Sequence, residues 1–326
     1  MMQPNLKISY LLFLNVRGWR VSQTLSWVLT GILLTGALNG YGIKHTDKAR
    51  LQMSKNGICQ IRVADAIMEI DASHGARITS FRIHDQEILT TPAINAENYG
   101  STLWLSPQIW KWPPAPVLDA APYRIKINKK KLVLSSEADK NSGCQMSKTF
   151  IPNKADSSIS INYTITNISD KDKSMAPWEV TRVLAGGLTF FPIGTPGGYS
   201  KSNLVTADLN GICWFQYVPE LVTGHQKLFR NGAEGWLAHA NHGLLLIKQF
   251  PDIGIEQEAP HETEVEIYTN KDHTYIELEN QGRFQTLHPG ETICWNVKWY
   301  LRKLPFNIPA RQGSPELAEY IRNTMH

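Results

Sequence analysis

Two glutamates lie two positions apart in the stretch YIELENQGRF, residues 275–284. Alternate side chains of an extended strand point to one face, so Tyr275, Glu277 and Glu279 share a face and the apolar residues between them share the other. Carboxylates on one face can accept hydrogen bonds and transfer protons. Glutamate is also common on exposed strand faces. The pattern therefore leaves two interpretations: an exposed strand face or the floor of a functional cleft.

Further charged residues lie in two apolar, strand-like segments. Glu179 and Arg182 belong to PWEVTRV, and Lys248 belongs to LLLIKQF. Burial beside Trp178 would raise the pKa of Glu179 and let it act as an acid, while Arg182 could hold a carboxylate or hydroxyl group of a ligand. The alternative is an internal ion pair between Glu179 and Arg182. Lys248 likewise could either bind a ligand or form an internal ion pair.

A segment rich in tryptophan and proline, GSTLWLSPQIWKWPPAPVLDAAPY, occupies residues 100–123. Its prolines predict a stiff loop and not a central strand. Sugars present apolar C–H faces that stack on aromatic rings, and a stiff loop loses little entropy on binding. Trp104 and Trp112 are the candidates for such stacking, with Gln108 and Asp119 as partners for hydroxyl groups. The alternative is a packed lid over one end of the fold.

The elements that must position these residues are predicted to be strands. From residue 55 onward, short segments with period-two alternation are separated by turn-forming residues, which is typical of antiparallel sheets. We predict an all-β protein with one large antiparallel β-sandwich over residues 55–305. In the C-terminal extension 306–326, SPELAEYIRNTMH predicts a short helix, with Ser314 as N-cap and Pro315 at its first position.

The composition indicates a globular chain without a nucleic-acid partner. Of the 326 residues, 42% are hydrophobic and 19% are charged, which allows a large buried core. The formal net charge is +4, and residues 1–40 contribute three basic residues and no acid, so the rest is close to neutral. No basic stripe interleaved with aromatic residues, zinc-finger spacing or recognition-helix pattern is present.

The N-terminal segment 1–40 has the features of an export signal. Arg17 and Arg20 precede LSWVLTGILLTGAL, an apolar run that ends in small residues. The run is shorter than the about 20 residues that a membrane-spanning helix needs. We expect a periplasmic or extracellular protein with a cleaved signal peptide, and an uncleaved membrane anchor is the alternative. Residues 41–54 are predicted to be a linker.

The cysteines suggest no metal site. They are far apart and form no CxxC pair: Cys59, Cys144, Cys213 and Cys294. In an oxidising compartment they allow three disulfide pairings, but each lies beside apolar residues, where a buried free thiol is the commoner state. No looped Asp/Asn spacing favours calcium. We therefore expect neither a metal ion nor a cofactor.

The stretch IELENQGRFQTLHPGETICWNVKWYL resembles the C-terminal part of the aldose 1-epimerases, the galactose mutarotases. In that family a strand with a Leu-Glu-x-Gln core carries the catalytic base and leads to a Leu-x-Pro-Gly-Glu turn. Leu278, Glu279 and Gln281 fit the core, and residues 287–291 fit the turn. HGARITSFRIHDQEIL resembles the family's early hairpin, and YTITNISDKDKSMAPWEVTRV resembles the strands before its catalytic histidine. The resemblance covers residues 55–305 and implies a mutarotase-type β-sandwich.

Two positions depart from the mutarotase pattern. Where that family has a histidine that protonates the ring oxygen, this chain has Pro177, Trp178, Glu179 and Val180. The Asn-Arg signature of the sugar-binding loop is also replaced, by the segment 100–123. Both departures resemble an uncharacterised, mainly bacterial branch of the mutarotase-like superfamily. Solvent exposure is expected for the histidines in turn-like surroundings, which are His225, His239, His242, His261, His273 and His288.

The resemblance implies a carbohydrate ligand and an isomerase of the aldose 1-epimerase type. Mutarotation needs a base for the anomeric hydroxyl proton and an acid for the ring oxygen. Glu279 inherits the role of base, and Glu179 is the candidate acid. The expected substrate-binding residues are Trp104, Gln108, Trp112, Arg182, Lys248 and Glu277. The alternatives are a non-catalytic sugar-binding protein and a structural protein of the cell envelope.

Overall fold

The computed structural model describes residues 50–54 and 56–326. The segment predicted to direct export, residues 1–40, lies outside the described residues. The stretch predicted as a linker ends in a strand, Arg50–Met53, which pairs with the next strand of the chain. The sheet therefore begins before the domain boundary predicted at residue 55.

The strands run through most of the described chain. The first half of the chain contains β1 Arg50–Met53, β2 Ile58–Val63, β3 Ala66–Asp71, β4 Arg77–Ile83, β5 Gln86–Glu87, β6 Ser101–Ser106, β7 Arg124–Ile127, β8 Leu132–Ser135, β9 Cys144–Asn153, β10 Ser158–Asn167 and β11 Lys173–Leu184. The second half contains β12 Leu188–Pro192, β13 Lys201–Ser202, β14 Ala207–Leu209, β15 Ile212–Gln216, β16 Gln226–Arg230, β17 Trp236–Asn241, β18 Leu244–Gln249, β19 Val265–Thr269, β20 Tyr275–Gln281, β21 Gln285–Leu287 and β22 Thr292–Lys303.

These strands form two antiparallel sheets. The first sheet has the order β1-β2-β3-β4-β6-β11-β20-β19-β16-β13, with β5 beside β4 and β21 beside β11. The second sheet has the order β14-β15-β12-β17-β18-β22-β10-β9-β8-β7. One continuous apolar layer holds side chains from both sheets, so the sheets pack face to face. The predicted all-β antiparallel sandwich is confirmed.

The main core lies between the sheets and is built from alternate residues of each strand. Phe81 and Leu278 of the first sheet meet Phe150, Ile161 and Trp299 of the second, and all five are buried. Full burial of such side chains contributes about 1.5–3 kcal/mol each relative to exposure. The opposite face of each sheet is then free to carry other features.

A C-terminal helix, α2 Pro315–Met325, covers part of the outer face of the second sheet. Ser314 is its N-cap, and its hydroxyl oxygen accepts a hydrogen bond of 3.2 Å from the backbone N–H of Leu317. Leu317 and Ile321 are buried in a second apolar cluster with Trp214. The predicted helix is therefore confirmed. Within the part of the chain that the structure describes, no helix is long and apolar enough to cross a membrane.

The segment 100–123 is partly a strand. Ser101–Ser106 form β6, which lies inside the first sheet between β4 and β11. The prediction that this segment contains no central strand is wrong for these residues, because the prolines begin only at Pro107, where the strand has ended. The remainder is a loop that contains a single helical turn, α1 Pro116–Asp119.

The cysteines form no disulfide. All four are free thiols, and three of them, Cys59, Cys144 and Cys213, are buried. Burial raises the pKa of both Cys59 and Cys213 to about 11, which keeps them as inert thiols. Of the two possibilities, disulfides or free thiols, the structure has free thiols, and three of the four are buried.

Candidate functional site

A cavity of about 400 Å³ lies on the outer face of the first sheet. Its floor is formed where β6, β11, β20, β19 and β16 run side by side, and the 100–123 segment supplies one wall. The inner face of the same strands packs in the main core, with Val183, Ile267, Ile276 and Leu278. Strand alternation therefore divides these strands into a core face and a cavity face.

The face of β20 predicted to carry function is the cavity face. Tyr275, Glu277 and Glu279 line the cavity, while Ile276 and Leu278 point into the core. The glutamates are nonetheless poorly accessible, with side-chain exposures of 12% for Glu277 and 1% for Glu279. This strand is therefore not an ordinary solvent-exposed face, and its carboxylates need partners.

Glu279 lies deepest in the cavity floor. Its Oε2 accepts hydrogen bonds from Trp178 Nε1 at 2.8 Å and from Lys227 Nζ at 3.0 Å. Its Oε1 has no hydrogen-bond partner among the residues that the structure describes. Buried polar atoms are nearly always paired, so an unpaired carboxylate oxygen at a cavity floor is a position where a ligand hydroxyl would be stabilised.

Glu277 lies nearer the opening and faces Arg182. The Nε of Arg182 is 2.9 Å from Oε1 of Glu277, and the guanidinium lies 5.2 Å from the centre of the Trp104 ring. Burial raises the pKa of Glu277 to about 7, against the opposing effect of Arg182. Neither Nε nor Nη1 of Arg182 has a hydrogen-bond partner in the described structure, so the contact with Glu277 is one of charge, and two guanidinium nitrogens still lack an acceptor. The pair thus combines a carboxyl group that titrates near neutrality with a fixed cation.

Lys227 joins two carboxylates on neighbouring strands. Its Nζ lies 2.6 Å from Oε2 of Glu266 and 3.0 Å from Oε2 of Glu279. Burial lowers the pKa of Lys227, but Glu279 and Glu266 outweigh burial and hold this pKa above its ordinary value. Burial raises the pKa of Glu266 well above its ordinary value despite Lys227. Lys227 is therefore a cation at neutral pH, held between two carboxyl groups.

Tryptophan rings surround Trp104 in the cavity wall. The ring centres of Trp110, Trp112 and Trp178 lie 5.6, 5.6 and 5.4 Å from that of Trp104, each nearly edge to face. Trp104 is 6% exposed, whereas Trp112 is 58% exposed. Trp112 is therefore the ring that can offer a face to a ligand, and the others support it.

Asp119 fixes Trp104 and does not face the cavity. One carboxylate oxygen accepts a hydrogen bond of 2.9 Å from Trp104 Nε1, and the other lies 3.1 Å from the guanidinium of Arg77. The interpretation of Asp119 as a partner for ligand hydroxyls is therefore wrong, because its oxygens already have buried protein partners. Gln108 does line the cavity, and its backbone N–H donates to Glu262 Oε1 at 3.0 Å.

Two residues of the predicted site, Glu179 and Lys248, lie on the core face instead. Lys248 Nζ is 2.9 Å from Glu179 Oε2, and both side chains are completely buried between the sheets. The register pairs Val180 with Glu279 and Glu179 with Asn280, so Glu179 points away from the cavity. The expectation that Glu179 faces Glu279 across a sugar is therefore wrong, because the strand register places the two side chains on opposite faces of the sheet. The alternative ion pair with Arg182 does not form either, since Arg182 faces Glu277.

Several cavity residues were missed from the sequence. Lys227, His225 and Tyr268 line the cavity from β16, its preceding turn and β19, and Nδ1 of His225 is paired with the hydroxyl of Tyr268. His225 was expected only to be exposed, and it is exposed while lining the cavity. The expected exposure of His239 is wrong, since that residue is fully buried and its pKa falls to about 3 because of burial. The alternation in HQKLF could have indicated that His225 and Lys227 share a face of one strand. It could not have indicated which strands lie beside that strand.

Within the described residues, acidic, cysteine and histidine side chains do not cluster as metal ligands. Among residues 50–54 and 56–326, no group of three or more such residues could hold a metal ion. The charged side chains of the cavity are instead held by one another, as in the Lys227 and Arg182 pairs. The carboxyl, cationic and aromatic side chains of the cavity can transfer protons, form hydrogen bonds and stack on a ligand.

The family model Domain of unknown function (DUF4380) matches residues 106–302. No curated protein matches the chain significantly. Among solved structures, the chain is similar to a galactose mutarotase-like protein from Lactobacillus casei ATCC 334. The identity is 13% and the TM-score 0.55, over 76% of this chain and 100% of that one.

Two further solved structures agree. A galactose mutarotase related enzyme from Lactobacillus acidophilus is 11% identical with a TM-score of 0.51, over 78% of this chain and 98% of that one. A proposed aldose 1-epimerase from Escherichia coli K12 is 11% identical with a TM-score of 0.52, over 78% and 100% of the two chains. The predicted mutarotase-like fold is thereby confirmed. The DUF4380 model covers more than half of this chain, so the chain belongs to the DUF4380 family, and it has a mutarotase-like fold.

Proposed function

We propose that the protein binds a sugar in the cavity of the first sheet and interconverts its anomers, with Glu279 as the base. The observation that carries this proposal is the Glu279 carboxylate, buried in the cavity floor with Oε1 unpaired and Oε2 held by Trp178 and Lys227. It is also the position that fits the catalytic strand of the mutarotases. Two donors on one oxygen orient the carboxylate, so the other oxygen can accept the proton of an anomeric hydroxyl.

The rest of the cavity suits a monosaccharide or the end of a glycan. Its volume of about 400 Å³ falls within the ordinary range of small-molecule sites. Trp112 offers an exposed ring for a C–H face, and Arg182 and Lys227 offer donors for hydroxyl oxygens. Arg182 could equally hold the carboxylate of a uronic acid. The test panel should therefore include neutral aldoses and uronic acids.

The direct experiment mixes purified protein with each sugar and follows exchange between its two anomers by NMR saturation transfer, with calorimetry for binding. We expect catalysed exchange for at least one sugar of the panel. Binding without faster exchange would instead support the alternative of a non-catalytic sugar-binding protein. Neither binding nor exchange with any sugar would contradict the proposal and favour a structural role.

Trp112→Ala is expected to weaken sugar binding about tenfold, because a lost stacking contact of about 1–1.5 kcal/mol corresponds to that factor. The side chain is 58% exposed, so its removal should leave folding intact. Calorimetric titration gives the affinity. Ile109→Ala is the matched control, because Ile109 is an 87% exposed residue of the same segment outside this cavity. Unchanged affinity in Trp112→Ala would contradict stacking on this ring.

We also propose that the protein acts outside the cytoplasm, on carbohydrate of the cell envelope or its surroundings. The support is the apolar run LSWVLTGILLTGAL behind Arg17 and Arg20. Fractionation of producing cells, with N-terminal sequencing of the purified protein, tests this proposal. An intact N-terminus in the cytosolic fraction would contradict export.

A further inference from the structure

We propose that Glu277 is the proton donor of the cavity, in the role that a histidine takes in the mutarotases. This inference rests on the proposed anomer interconversion. It assigns a catalytic role to a residue that the sequence indicated only as substrate-binding.

The carboxyl group of Glu277 is available to a ligand. Oε1 lies 2.9 Å from Arg182 Nε as a close charge contact, without the geometry of a hydrogen bond, and Oε2 accepts no hydrogen bond from a residue in the described ranges. The side chain is 12% exposed, compared with 1% for Glu279. Of the two glutamates, Glu277 is therefore the more accessible, and the cation of Arg182 lies beside it.

The separation of the two carboxyl groups suits one sugar ring between them. Same-face neighbours two positions apart on a strand are about 7 Å apart. The anomeric oxygen and the ring oxygen are both bonded to C1, so one hydrogen bond of about 2.7 Å to each spans most of that distance. Glu279 can then accept from the anomeric hydroxyl while Glu277 donates to the ring oxygen.

Burial, set against the charges around it, makes Glu277 a group that can release a proton near neutrality. It faces Arg182 on β11, Tyr268 on β19, Lys227 on β16, and Tyr275 and Glu279 on its own strand. Burial raises the pKa of Glu277 to about 7, with Arg182 opposing. Burial also raises the pKa of Tyr268 to about 12 and that of Tyr275 above its ordinary value. The tyrosines thus keep their protons, whereas Glu277 is balanced between its two forms.

The proposed reaction conserves protons and electrons. Glu279 takes the proton of the anomeric hydroxyl while Glu277 gives its proton to the ring oxygen. The C1–ring oxygen bond breaks, and the aldehyde C=O forms. After rotation about the C1–C2 bond, the hydroxyl oxygen attacks the other face of the carbonyl and its proton returns to Glu277. Glu279 then returns its proton to the anomeric oxygen, and both groups regain their starting forms.

The test compares wild type and Glu277→Gln for anomer exchange between about pH 5 and 9 and for sugar affinity. For wild type we expect kcat/KM to fall as the pH rises above about 7, because the donor loses its proton. For Glu277→Gln we expect kcat to fall on the order of a hundredfold, sugar affinity to change less than about threefold, and the residual rate to lose that alkaline decline. Glu277→Asp should recover part of the rate.

The controls separate this inference from the function on which it rests. Glu319→Gln changes an exposed carboxylate of α2 and should behave as wild type. If wild type catalyses no exchange with any sugar of the panel, the proposed function itself fails. If wild type catalyses exchange and Glu277→Gln retains it within about threefold, only the role of Glu277 fails. Loss of exchange in His225→Gln, with exchange retained in Glu277→Gln, would give the donor role to His225 and overturn this inference.

Discussion

Glu279→Gln is expected to slow anomer exchange on the order of a hundredfold or more, the usual effect of losing a general base. Glutamine keeps the size of the side chain and an oxygen that can accept from Trp178 Nε1, which lies 2.8 Å from the carboxylate in the native protein. It cannot take the proton of the anomeric hydroxyl. Lys227 keeps its 2.6 Å contact with Oε2 of Glu266, so the cavity should remain assembled.

The rate is measured by saturation transfer with the sugar that wild type turns over fastest, and folding is checked by circular dichroism. Glu291→Gln changes an exposed glutamate in the turn after β21 and is the control for removing a carboxylate from this part of the chain. A binding protein without catalysis should lose only part of its affinity in Glu279→Gln. If exchange and binding both survive, Glu279 serves only to hold Lys227.

Lys248→Met is expected to destabilise the fold by about 3–5 kcal/mol, because it leaves the Glu179 carboxylate buried without its counter-ion. The two charged atoms are 2.9 Å apart, and neither side chain is exposed. Lys248 also donates to Thr181 Oγ1 at 2.8 Å and to the backbone oxygen of Leu278 at 3.1 Å. Urea denaturation gives the free energy of unfolding for each variant.

The double variant Glu179→Gln/Lys248→Met should recover most of that loss, since it removes both buried charges. Lys298→Met is the matched control. Lys298 forms a half-buried pair with Asp156 at 3.0 Å on the second sheet, where a loss of at most about 1 kcal/mol is expected. Equal stabilities for Lys248→Met and Lys298→Met would show that the inner pair is not a major stabilising element.

The alternation of side chains along the strands made the fold and half of the site predictable from the sequence. The period of two in YIELENQ places Glu277 and Glu279 on one face, whichever strands lie beside β20. The capping residue Ser314 likewise predicts where α2 begins. Both patterns involve residues that are close together in the sequence. They can therefore be recognised without knowing which strands pair.

The register between strands that are distant in the sequence was not predictable, and this register decides which residues share a face. Glu179 lies on the core face because β11 pairs with β20 in a register that sets Val180 opposite Glu279. A shift of one residue would have turned Glu179 toward the cavity, and nothing in PWEVTRV distinguishes the two cases. The cation beside Glu279 was missed for a similar reason, since Lys227 is 52 positions away along the chain.

Both sheets end in strands that are poor templates for another chain. Among the described residues, the first ends in β1, which carries Arg50, and in the two-residue β13, which carries Lys201. The second ends in the three-residue β14 and in β7, which carries Arg124 and Lys126. Short edges and basic side chains oppose edge-to-edge addition of strands. The outer hydrogen-bonding groups of these strands are therefore unfavourable places for a second copy of the chain to add a strand.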